Sequence, residues 1–90
     1  MTALTPIYLS EKVFTEDSRV QLAIDLHAIR SHLHKHLSTV ATESGLSAEQ
    51  IDDMEMGVFE YVDHQYNIRP LLTLLDYYGE PIDLCLSKCH

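Results

Sequence analysis

The chain has only three glycines, two cysteines and six lysines and arginines in its ninety residues, and each shortage excludes a class of function. With so little glycine there is no glycine-rich loop to cradle a phosphate. Cys85 and Cys89 lie too close in sequence to staple distant parts of a fold, and their C-x-x-x-C spacing is not the C-x-x-C of redox or zinc-ribbon motifs. Ordinary reduced thiols are expected. No apolar run approaches the roughly eighteen residues of a membrane helix, and the first residues lack the basic stretch and apolar core of a secretory signal. The expectation is a soluble, cytoplasmic protein that binds no membrane. Fourteen Asp and Glu against six Lys and Arg give a formal charge of −8, which repels nucleic acid and favours basic partners.

What the chain does have is 46% hydrophobic residues against 22% charged, enough to build a core. Ninety residues support one core, so the chain reads as a single domain. No internal repeat, low-complexity tract or linker interrupts it. The predicted fold is all-α: a compact three-helix domain with residues 1–14 as an N-terminal arm, 15–79 as the helical core and 80–90 as a short C-terminal extended or helical segment.

Local signals give the expected boundaries. Within the arm, Ile7 to Leu9 suits a short strand, or Ser10 opens a turn of helix. Thr15 or Ser18 caps a first helix, and Leu22, Leu26, Ile29, Leu33, Leu37 and Val40 continue at three- and four-residue spacing until Gly45 stops it. Ser47 and Gln50 form a capping box for a second helix, whose inward face is Ile51, Met54, Val58, Tyr61, Val62 and Gln65, widened by Phe59 and Tyr66. Gly57 within it reads as tolerated or as a place of close packing. Pro70 opens a third helix, apolar on more than one side, that ends at Gly79. Beyond Pro81, Ile82, Leu84 and Leu86 alternate with polar residues as a strand does, and Ile7 to Leu9 is the available partner.

Seven carboxylates and no Lys or Arg lie between Glu43 and Ile68. On a continuous second helix, Glu49, Asp52, Asp53, Glu60 and Asp63 share the face opposite the apolar stripe, with Met56 among them. Like charges without intervening Lys repel each other and forgo the usual four-apart ion pairs, so the pattern points to a use outside the fold. A basic protein surface would be steered in by that field, with Met56 as its apolar anchor. A nucleic-acid-binding protein or complex is one such target, since the acidic face could stand in for phosphates. The expected function is a small acidic interaction module acting as an inhibitor or antagonist. Immunity proteins, antitoxins and phage-encoded anti-CRISPR proteins are analogues by size and charge alone.

Histidine is the second signal. His32 and His36 lie four apart on one face of a continuous first helix, in line with Asp25 and Glu43, while His27 and His34 form another line. Two histidines so spaced are half of a zinc site, needing Glu43, His64, Cys85, Cys89 or a second molecule to complete it, and the zinc protease signature is absent. No metal and no cofactor are expected, with His32 and His36 as the weak candidates. The alternative function is a helical homo-oligomer, a homodimer for instance, whose first helix packs on its own copy with these histidines at the seam. Protonating all six histidines would move the charge from −8 to −2 and weaken attraction to a basic partner. No Ser-His-Asp or Cys-His order stands out and so small a helical domain leaves little room for a pocket, so catalysis is not expected.

Overall fold

Thr15 opens the longest helix: its hydroxyl accepts the Ser18 N–H at 3.3 Å, and Glu16 and Asp17 fill the first turn, where the helix dipole favours negative charge. The computed structural model describes residues 5–80. Within them the order is β1 (Tyr8–Ser10), α1 (Glu16–His32), α2 (Leu37–Ser44), α3 (Ala48–Glu55), β2 (Tyr61–Val62), β3 (Gln65–Asn67) and α4 (Arg69–Tyr78). The all-α, three-helix expectation is therefore corrected. The described residues form four helices and a small antiparallel sheet of order β1-β3-β2.

The first expected helix is two. After Leu33 the chain enters the left-handed region at His34 (φ 57°), where the His34 N–H bonds the Ser31 carbonyl and the Lys35 N–H bonds that of Arg30. That pair of bonds is a Schellman closure, normally made with glycine at the left-handed position. A histidine conceals it, because the apolar spacing from Leu33 to Leu37 and Val40 runs on as if the helix did. The Arg30 guanidinium also donates to the Lys35 carbonyl at 3.2 Å, which fixes the corner from inside.

The second expected helix stops after two turns. Ser47 accepts the Gln50 N–H at 3.0 Å while the Gln50 side chain accepts the Ser47 N–H at 2.9 Å, so the capping box opens α3 as read. Gly57 (φ 77°) then closes it, with Val58 N–H on the Asp53 carbonyl and Gly57 N–H on that of Met54. Gly57 thus terminates the helix instead of being tolerated within it. A Cβ there would stand 3.6 Å from the Arg19 carbonyl and 3.9 Å from the Ala23 methyl, so the chain also passes close against α1.

Beyond Gly57 the chain forms a hairpin. Tyr61 pairs with Tyr66 and Val62 with Gln65, and the two residues between, Asp63 (φ 51°) and His64 (φ 65°), both take the left-handed backbone that a tight hairpin turn demands. Val58, Tyr61 and Val62, expected to face inward, are exposed instead. Strand β1 joins the other side of β3, Leu9 opposite Tyr66, so part of the arm does form a strand; its expected pairing with the segment beyond Pro81 lies outside the described residues. The expected segment beyond Glu80, with Cys85 and Cys89, lies outside the described residues.

The third expected helix is α4, with Pro70 in its first turn and Gly79 (φ 76°) at its end. It buries Leu71, Leu74 and Leu75 against Leu22 and Leu26 of α1, Val40 of α2, and Ile51 and Met54 of α3. Phe14, 1% exposed, joins sheet to core through edge-to-face contacts with Phe59 at 5.0 Å and Tyr66 at 5.7 Å.

Candidate functional site

Because α3 ends at Glu55, the six residues expected on one helical face are distributed over three places. Glu49, Asp52 and Asp53 remain on α3, Met56 and Glu60 lie in the connection after it, and Asp63 stands at the hairpin turn. Among the described residues, none of Glu49, Asp52, Asp53, Glu60 and Asp63 forms an ion pair with Lys or Arg. The other two carboxylates of the run are paired: Glu43 with Lys35 at 2.6 Å and Glu55 with Arg30 at 2.6 Å.

Asp53 and Glu60 meet across a cleft of about 280 Å³ between α3 and the hairpin, with Met54, Val58, Phe59 and Pro70 as its apolar walls. Asn67 positions the glutamate. Its side-chain amide donates to Glu60 Oε1 at 2.9 Å and its backbone N–H to the Glu60 carbonyl at 2.9 Å. Its own Oδ1 accepts the N–H groups of Ile7 and Arg69, both at 3.1 Å, so the residue that orients Glu60 is anchored to β1 and to the start of α4. The cleft is slightly below the ~300 Å³ at which small-molecule pockets begin, and suits one projecting side chain. Sequence reasoning passed over Asn67, whose position on a strand becomes visible only once the hairpin is recognised.

Met56 faces elsewhere. At 64% exposure it stands beside Val20 (51%) and Ile24 (57%) of α1, edging a shallow groove of about 370 Å³ with Ala23, His27 and Glu55. Val20, Ile24 and Ala28 repeat every four residues on the side of α1 away from Leu22 and Leu26, and all three are exposed. The longest helix therefore carries two apolar rows, one buried and one not. The four-residue spacing of Val20, Ile24 and Ala28 was legible in the sequence but was overshadowed by the stronger inward stripe.

The charged residues that are paired within the fold brace it. Glu55 takes two bonds from Arg30 and one from His27 Nδ1 at 3.1 Å; burial alone would raise its pKa, and these partners overcome burial and hold it below the ordinary glutamate value. Lys35 donates to Glu43 and to the Tyr77 hydroxyl, which itself donates to Glu43, so the α1–α2 corner is tied to α4. These bonds raise the Lys35 pKa and lower that of Glu43. At the sheet, the Tyr61 hydroxyl donates to Glu11 at 2.5 Å, with His64 Nδ1 3.2 Å away. The bond to Glu11 pushes the phenol up to about 12, which keeps it protonated as the donor in this contact. Arg19 donates to the Phe14 carbonyl at 2.6 Å and lies over the Tyr66 ring at 4.3 Å.

The histidine line dissolves with the helix that carried it. His32 ends α1 and His36 precedes α2, so they no longer share one helical face with Asp25 and Glu43. His27 is paired with Glu55 and His34 occupies the left-handed corner. Among the described residues no three His, Cys, Asp or Glu side chains converge as a metal ion requires, and no helix there is long and apolar enough to cross a membrane. Compared with protein-family models, curated proteins and solved structures, the chain matches none.

Proposed function

We propose that this protein is a small acidic interaction module that occupies a basic surface of a partner protein and thereby antagonises it. The observation that carries this reading is the cleft in which Asp53 and Glu60, from different elements and without cationic partners among the described residues, flank apolar walls. An arginine or lysine side chain has the matching form: an aliphatic stem for Val58, Phe59 and Pro70, and a cationic end for the two carboxylates. Asn67 holds Glu60 in place beforehand, so less side-chain freedom is lost on binding. Glu49, Asp52 and Asp63 extend the negative field, which speeds encounter with a basic surface and disfavours acidic ones. Where that basic surface serves nucleic acid, the module competes with phosphates for it.

The test is affinity capture from lysate of the source cells at low and high salt, with an Asp52→Asn, Asp53→Asn, Glu60→Gln, Asp63→Asn variant in parallel. A basic protein retained by the wild type, released by salt and lost with the variant supports the reading. Retention of the same partner by both forms refutes it. For a captured nucleic-acid-binding partner, the antagonist role requires that added protein displace the nucleic acid.

A further inference from the structure

We propose that the groove between the outward row of α1 and Met56 seats the apolar stripe of a cationic amphipathic helix. Val20, Ile24 and Ala28 form a ridge about 12 Å long at the helical rise, and its Val20 and Ile24 line the groove with Met56 beside them and Ala23 in the floor. A ridge of residues four apart is the complement of another helix carrying apolar residues at the same spacing, which is the helix-in-groove mode of recognition. Met56 adds a flexible, polarisable wall that adapts to the side chains it meets.

The charge at the rim selects the partner. Glu16 and Asp17 lie one turn before Val20, and Asp52 lies one turn before Met56. The nearby cations are committed elsewhere, Arg19 to the Phe14 carbonyl and the Tyr66 ring, Arg30 to Glu55. A helix with Lys or Arg flanking its apolar stripe gains at the edges that carry Glu16, Asp17 and Asp52. A second copy of the chain would instead bring two −8 bodies face to face. The inference extends the reading of a basic partner to a surface separate from the Asp53–Glu60 cleft.

The test uses the full chain and three synthetic peptides. One is an amphipathic helix of Leu at four-residue spacing among Lys, the second a scramble of the same composition, and the third the amphipathic design with Gln for Lys. Methyl NMR signals of Ile24 and Met56 should shift saturably with the first peptide, and binding should fall on the order of tenfold for the scramble and for the Gln peptide. A Val20→Gln, Ile24→Gln double variant should lose a similar factor while keeping its circular dichroism spectrum. If the scramble binds as tightly and perturbs Asp53 and Glu60 instead, the groove is rejected while the acidic surface stands. If neither cationic peptide binds, both fall. Equal binding of the Gln peptide removes the cationic requirement and overturns the proposal. So does a dimer in sedimentation that dissociates in the Val20, Ile24 variant, or nuclear Overhauser contacts from the Ile24 methyl to residues 81–90, since each names a different occupant.

Discussion

Glu55 grips the Arg30 guanidinium with both carboxylate oxygens, Oε2 to Nε at 2.6 Å and Oε1 to Nη2 at 2.8 Å, joining the last residue of α3 to the last turn of α1. The Glu55 side chain is 6% exposed, so removing its charge leaves the mostly buried Arg30 guanidinium with the Lys35 carbonyl but no anionic partner. Glu55→Gln should cost about 2–4 kcal/mol of unfolding free energy at neutral pH, measured by urea denaturation.

The same pair sets a pH dependence. The Glu55 pKa is lowered in the folded protein from an ordinary 4.5, so its contribution is complete above that value and is lost as the pH falls through the depressed folded-state value. The stability gap between wild type and Glu55→Gln should be constant near neutrality and narrow on acidification below about pH 4.5. A gap unchanged in acid would show that Glu55 does not titrate against Arg30.

His34 is exposed and left-handed, a conformation that costs residues with a Cβ roughly 1 kcal/mol. His34→Gly should therefore stabilise the protein by about 0.5–1 kcal/mol despite the greater freedom of glycine in the unfolded chain. A fall in stability would mean that the corner is held by the side chain and not by the backbone bonds to Ser31 and Arg30.

Gly57 and Gly45 separate conformation from space. Both have positive φ, 77° and 84°, but a Cβ at Gly45 meets nothing within 4 Å while one at Gly57 meets α1. Gly45→Ala should cost about 1 kcal/mol, the backbone penalty alone. Gly57→Ala should cost as much or slightly more, since 3.6 Å is ordinary contact, and bulkier Gly57→Val should cost clearly more than Gly45→Val. Thermal unfolding of the four variants decides it.

The two rows of α1 should respond oppositely to substitution. Leu26 is fully buried, so Leu26→Ala should cost about 2–5 kcal/mol, whereas Ile24→Gln on the outer row should stay within about 0.5 kcal/mol. A large loss at Ile24 would place that side chain in the fold's own packing and leave no free ridge for a partner.

The features legible in advance were those whose partners lie within four residues: the Thr15 cap, the Ser47–Gln50 box, Gly45, Pro70 and Gly79. The corner at His34 and the hairpin turn at Asp63–His64 carry no glycine at their left-handed positions, and the glycine that ends α3, Gly57, reads as tolerated because apolar residues on both sides keep helical spacing. Reading through those breaks merged two helices into one and turned a hairpin into helix.

That error altered the candidate site more than the composition did. The excess of carboxylates, the absence of Lys and Arg between Glu43 and Ile68, and the intervening Met56 follow from the sequence alone, since charge is a property of residues and not of their placement. Tertiary structure decided which carboxylates the fold consumes, Glu43 and Glu55, and that Asp53 and Glu60 meet across a cleft while Met56 joins Val20 and Ile24. The Glu55–Arg30 pair and the Met56 groove join elements far apart in the chain, while the Lys35–Glu43 pair and the Asp53–Glu60 cleft lie beside the left-handed residues His34 and Gly57, which redirect the chain there at little local cost.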